Sequence, residues 1–101
     1  MFWYGSDALW TVLPVSGKGG VGGPGKSFWW RKGYDPHTET NPHLILTARR
    51  IDGEAPSIAV SDATNAGGGM LIGFRFRAAG CWEVTGHYDG NAVSFVVLVE
   101  P

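Results

Sequence analysis

The sequence is poor in the features that most directly label what a protein does. Cys81 is the only cysteine in 101 residues, so no disulfide closes within the chain and a cysteine-based zinc site has too few ligands. No apolar run approaches the roughly 18 residues of a membrane helix, and no membrane span is expected. The opening residues MFWYGSDALW offer neither a basic n-region nor a long apolar stretch, so a signal peptide is not expected within this chain. Charge of one sign is also missing. The formal net charge is −1, and the eight Lys and Arg are scattered, with Arg31-Lys32 and Arg49-Arg50 as the adjacent pairs. A nucleic-acid partner needs a denser basic stripe, so none is expected.

A helical apolar stripe is absent as well, and 16 glycines argue against helix. What remains is rich in β-formers. The chain is 44% hydrophobic and 13% aromatic, enough for the core of a single domain spanning residues 1–101. Turn formers recur about every 8 to 12 residues, the spacing of short strands. Strands are predicted at Leu9–Leu13, Phe28–Lys32, His43–Ile51, Ser57–Val60, Met70–Arg77, Cys81–Tyr88 and Ala92–Glu100.

The clearest pair flanks Asp89-Gly90, a dipeptide suited to a type I′ turn because both central positions need φ > 0. A two-residue loop sets Tyr88 against Asn91, then Gly86 against Val93, Val84 against Phe95 and Trp82 against Val97. Those side chains share one apolar face. Thr85–Ser94, His87–Ala92 and Glu83–Val96 fall on the other, so polarity agrees with register. The fold class expected is all-β: an Ig-like antiparallel β-sandwich of about seven strands.

One stretch does carry a functional pattern. GVGGPGKS, from Gly20 to Ser27, fits the phosphate-loop pattern G-x-x-x-x-G-K-[ST]. Such a loop needs a helix behind it, whose N-terminal dipole faces the anion. Here FWWRKGYDP follows. Its aromatic residues are poor helix formers, Gly33 interrupts it and Pro36 closes it, while Pro24 removes a backbone donor from the loop. No nucleotide is expected at Gly20–Ser27, and the stretch is read as a mobile connection.

The polar residues assemble no catalytic set. His37 and His43 bracket a polar loop, DPHTETNPH, and His87 lies far off near the hairpin tip; they are read as solvated loop histidines, and no metal site is expected. Cys81 and His87 share strand parity but stand about 20 Å apart along an extended segment, too far for a nucleophile and its base. Asp35, Glu39, Asp52 and Glu54 sit in turn-like segments with no apolar setting to separate their pKa values. No catalytic residue and no cofactor are expected.

The aromatic clusters FWY (Phe2 to Tyr4) and FWW (Phe28 to Trp30) carry the functional expectation. Side-chain alternation sends Trp29 to the face opposite Phe28 and Trp30. One face enters the core, and the other needs a cover: the N-terminal segment, a partner or a ligand. Trp3, Tyr4, Trp29 and Trp30 are the candidate ligand-binding residues. They would serve a protein partner or self-association, or alternatively a carbohydrate stacked on tryptophan.

FWYGSDALWTVLP, FWWRKGYD, LTARRIDG and GCWEVTGHYDGNAVSFVV together resemble small uncharacterised bacterial secreted proteins or lipoproteins with an Ig-like sandwich. GCWEVTG followed by SFVV, and YGS-x-ALW near the start, are the most specific parts. The resemblance implies an extracytoplasmic β-sandwich, periplasmic, cell-surface or secreted, with no established enzymatic role; with the aromatic surface, the expectation is a non-enzymatic binding or accessory module. It supplies no catalytic motif to carry over.

Overall fold

The structure, a computed structural model, describes residues 2–6, 8–13, 18–20, 25–39 and 41–100. They form ten strands: β1 (Phe2–Gly5), β2 (Leu9–Leu13), β3 (Lys18–Gly20), β4 (Gly25–Arg31), β5 (Ile45–Arg50), β6 (Ile58–Val60), β7 (Thr64–Ala66), β8 (Gly69–Phe74), β9 (Gly80–Tyr88) and β10 (Asn91–Glu100). All seven expected strands are among them. The additional three, β1, β3 and β7, are only three or four residues long, too short to show an alternation of their own. The strands make two five-stranded sheets, ordered β1-β2-β4-β8-β7 and β3-β10-β9-β5-β6. Every pairing is antiparallel except that of β3 with β10.

The β9–β10 hairpin has the register read from the sequence, from Tyr88 opposite Asn91 to Trp82 opposite Val97. Asp89 and Gly90 both take positive φ, 45° and 82°, as a type I′ turn demands. Trp82, Val84, Val93 and Val97 therefore face inward together. From the opposite sheet Leu9, Thr11, Trp29, Met70 and Ile72 meet them, and the two inner faces close one core.

Two tryptophans anchor that core, each wholly buried. A buried indole must place its N–H. Trp82 Nε1 donates to the Ala78 carbonyl at 3.0 Å, and Trp29 Nε1 donates to Ser27 Oγ at 2.9 Å. Ser27 in turn donates to the Ile72 carbonyl across the β4–β8 pair at 3.3 Å. The phosphate-loop pattern thus ends inside a strand: Lys26 pairs with Gly73, Ser27 with Ile72, and the serine hydroxyl supports a core indole. The mobile connection expected within Gly20–Ser27 falls largely on 21–24, outside the described residues.

Candidate functional site

Alternation and register together decide where each aromatic ring goes. Leu9, Thr11 and Trp29 point inward, so the intervening Trp10, Phe28 and Trp30 point outward from the same sheet. Trp10 stands opposite Trp30, and Trp3 opposite Val12. Trp3, Trp10, Phe28 and Trp30 consequently share the outer face of the first sheet. With Gly67 and Gly68 from the β7–β8 turn they line a groove of about 520 Å³.

Two glycines let the rings lie down on the sheet. A Cβ on Gly69 would stand 2.3 Å from the Phe28 ring, and one on Gly5 would stand 3.0 Å from a ring carbon of Trp10 and closer still to backbone. Phe28 therefore covers Gly69 and Trp10 covers Gly5. Trp3 leans over Phe28 with ring centroids 6.4 Å apart and planes inclined by 60°. Trp3 is 54% exposed and Trp30 37%.

The four sequence-based candidates separate accordingly. Trp3 and Trp30 come together at the groove. Tyr4 lies on the other face of β1, and its hydroxyl donates to the Ser94 carbonyl at 3.0 Å, bridging to the second sheet. Trp29 is a correction. It is fully buried, its ring packs 6.2 Å from Phe95, and no ligand on the surface can reach it. Trp10 and Phe28 are groove residues outside the four candidates. Their signal was present in the alternation of LWTVL and SFWWR, once Leu9 and Trp29 are known to face inward.

At the Lys26 end of the same face lies a second, polar pocket of about 370 Å³, lined by Lys26, Asp62, Thr64, Leu71, Ile72, Gly73 and Arg75. Lys26 precedes Phe28 by two residues along β4, about 6.6 Å on the same face, so the two depressions are neighbours. Among the described residues, no hydrogen bond or ion pair engages the side chains of Lys26, Asp62 or Arg75.

The histidines are placed apart from these pockets. His37 follows the Asp35 turn, where its backbone N–H is held by the Asp35 carboxylate at 2.9 Å. His87 meets Thr47 Oγ1 at 3.3 Å on the outer face of the second sheet. Among the described residues, no group of three metal-ligating side chains converges, and no helix is long and apolar enough to cross a membrane.

One polar cluster was not legible beforehand. Glu39, expected in a turn-like segment with no apolar setting, is only 11% accessible at its side chain. Arg31 grips its carboxylate with two donors, Nε at 2.9 Å and Nη2 at 2.7 Å. Tyr88 donates its hydroxyl to the same group, and the Asp35 N–H adds a bond of 3.1 Å. The Arg31 guanidinium also lies 5.3 Å from the centroid of the Tyr88 ring. Burial alone would push the Glu39 carboxyl up. The Arg31, Tyr88 and Asp35 hydrogen bonds outweigh it and hold the group below the usual carboxylate range. Burial, then the Glu39 carboxylate, raise both tyrosines, Tyr88 and Tyr34, above the ordinary phenol value.

Every oxygen of that carboxylate is committed, so the cluster fastens the end of the sandwich and leaves no acceptor open for chemistry. The Tyr34 hydroxyl beside it is buried with no hydrogen-bond partner among the described residues. An unmet buried hydroxyl costs about 1–3 kcal/mol. Tyr34→Phe is therefore expected to leave stability unchanged or raise it by about 1 kcal/mol in urea denaturation. A loss above that size would show that the hydroxyl has a role in the fold.

Comparison with protein-family models, with curated protein sequences and with solved structures gave no match to this chain.

Proposed function

We propose that this chain is a non-enzymatic binding or accessory module acting outside the cytoplasm, and that its ligand docks on the outer face of the β1-β2-β4-β8-β7 sheet. The observation that carries this reading is the groove built by Trp3, Trp10, Phe28 and Trp30. The outer face of an antiparallel sheet is ordinarily polar, whereas here four rings line it. Its volume of about 520 Å³ falls within the range of ligand sites. The indole N–H groups of Trp3, Trp10 and Trp30 make no hydrogen bond among the described residues, whereas those of Trp29 and Trp82 do. They stand available to a ligand.

The strand order supports an Ig-like classification. Taken in chain order, β2, β4, β8 and β7 occupy the A-B-E-D positions of that architecture, and β10, β9 and β5 the G-F-C positions. The short β6 then falls where a C′ strand extends the second sheet. The extracytoplasmic setting rests on the resemblance of GCWEVTG and YGS-x-ALW to bacterial secreted proteins.

A protein partner or a second copy fits the apolar groove taken alone. A carbohydrate gains support from the polar pocket at its end, where Asp62 and Arg75 supply the hydrogen-bonding rim that sugar recognition requires.

The test follows the five indole N–H signals of the chain in a two-dimensional ¹H–¹⁵N spectrum. Candidate oligosaccharides and peptides are titrated, together with a concentration series for self-association. Docking in the groove should move the Trp3, Trp10 and Trp30 signals and leave Trp29 and Trp82 in place. Trp30→Ala should keep the folded spectrum and weaken binding about tenfold or more, the scale of losing one central aromatic anchor. Shifts confined to the face carrying His87 and Arg49 would place the site elsewhere and end this reading.

A further inference from the structure

Resting on the groove reading, we infer that the natural occupant is an acidic polysaccharide, a glycan chain bearing carboxylates such as uronic acids. The groove supplies ring faces, and the pocket beside it supplies cations. Along β4 the outward positions run Trp30, Phe28, Lys26, a path of about 13 Å that passes from aromatic to cationic. β8 runs alongside with Gly69, Leu71 and Gly73, and Arg75, just past its end, stands at the polar end.

Lys26 and Arg75 against Asp62 leave the pocket one positive charge in a chain whose net charge is −1, so the cationic character is local. Neither cation is neutralised within the described residues. Together with the three indole N–H groups they make this face predominantly a donor surface. A complementary ligand brings flat apolar faces, many acceptor oxygens and negative charge. A uronate chain carries all three on every sugar: C–H faces for the indoles, hydroxyl and ring oxygens for the N–H groups, and a carboxylate for Lys26 or Arg75.

An acidic peptide with aromatic side chains offers similar charge but fits the position less well. Extended peptides gain much of their affinity by main-chain pairing along an open sheet edge. This site runs from Trp3 on the edge strand β1 across the interior strands β2, β4 and β8, whose main-chain groups already serve the ladders, so most of its lining offers no open edge. The glycines of the wall, Gly67 and Gly68, where an added Cβ would meet nothing within 4 Å, also leave room for a flat ring.

The probe is a purified oligogalacturonate, compared with a neutral galactan oligosaccharide of equal length and with an acidic aromatic peptide. Binding is read by calorimetry at low and high salt and by the indole N–H signals. Oligogalacturonate should bind about tenfold more tightly than its neutral counterpart, weaken with salt, and shift the Trp3, Trp10 and Trp30 signals. Lys26→Ala/Arg75→Ala changes two solvent-facing side chains. It should keep the folded spectrum, remove most of the salt dependence and bring the two glycans to similar affinity.

Equal affinity for both glycans in the parent chain, or no change in the double variant, overturns the acidic-glycan inference while groove binding stands. Binding of the peptide with neither glycan does the same. If no probe moves the three groove indoles while oligogalacturonate binds elsewhere, the inference and the groove reading fall together.

Discussion

Gly86→Ala is expected to destabilise the domain by about 3 kcal/mol, although it adds a single methyl group. Gly86 lies on the inner face of β9, and its φ requires no glycine. The constraint is the ring above it. A Cβ at this position would stand 2.4, 2.6 and 3.0 Å from three carbons of the Trp29 indole. That indole has nowhere to retreat, because it is fully buried, tied by Nε1 to Ser27 and flanked by Phe95. Overpacking of this kind costs about 1–3 kcal/mol, and more when the neighbour is fixed. For a domain of this size, 1 kcal/mol shifts Tm by roughly 4–8 °C, so a fall of more than 10 °C should be seen by calorimetry. Trp29→Ala alone should cost about 3–5 kcal/mol by opening a cavity.

The pair of changes tells the two causes apart. In Trp29→Leu the smaller side chain leaves room beside β9, so adding Gly86→Ala should cost far less than it does in the parent chain. A coupling of at least about 1 kcal/mol is expected. Strictly additive effects would mean that Gly86 and Trp29 do not share this contact.

The Gly86–Trp29 contact marks the boundary of what the sequence disclosed. The alternation of CWEVTGHY and NAVSFVV, together with Asp89-Gly90, set strand, turn and register correctly. Gly86 was assigned to the inner face on that basis. Its partner was not visible, because packing between sheets joins residues 57 positions apart and leaves no local periodicity. FWW was ambiguous for a related reason. Period two fixes that Trp29 opposes its neighbours, but which side is core depends on the opposite sheet. Trp29 was therefore grouped with the surface rings until Gly86 and Phe95 defined its side.

The groove suffered the same loss. It combines strands adjacent in the sheet but distant in the chain, so the lone Trp10 stands out less than the denser FWY and FWW. The polar turn composition around Glu39 gives no sign of the setting that its carboxylate occupies. Its burial comes from Arg31 at the end of β4 and Tyr88 at the end of β9 closing over it, a tertiary fact with no motif. The phosphate-loop pattern shows the opposite error that such a motif invites. Its fixed residues are present, but the local β-propensity of SFWWR governs the backbone, and Ser27 serves an indole.

Glu39 supports the second large effect. Its carboxylate links Arg31 on the first sheet to Tyr88 on the second, and its own carbonyl accepts a bond from Asn65 Nδ2 at 2.7 Å. Removing one partner of a largely buried ion pair costs about 3–5 kcal/mol when the other charge is left stranded. Arg31 retains 28% side-chain accessibility, so water can recover part of its solvation, and Glu39→Ala is expected near the low end, about 3 kcal/mol. The sign of the pH dependence follows from the direction of the shift. Because the folded-state pKa of Glu39 is depressed, its contribution is complete above the unfolded carboxyl value of about 4.3. It is lost as pH falls through the folded value.

Urea midpoints measured from neutral to strongly acidic pH should therefore fall below about pH 4 in the parent chain. In Glu39→Gln they should start lower and fall less. On the alkaline side the tyrosines have raised folded values. Stability should accordingly be lost as pH rises from about 10 through those values, and Tyr88→Phe should blunt that loss. A Glu39→Gln profile parallel to the parent's throughout the acid range would show that the acid sensitivity arises from other carboxylates. Asp52 is the alternative to examine. The Cys81 N–H, first, and then Arg50 hold its carboxyl below the ordinary value, but it lies exposed at the surface. Asp52→Asn should consequently change the acid limb less than Glu39→Gln, and the reverse order would move the main acid-sensitive contact to the Asp52 turn.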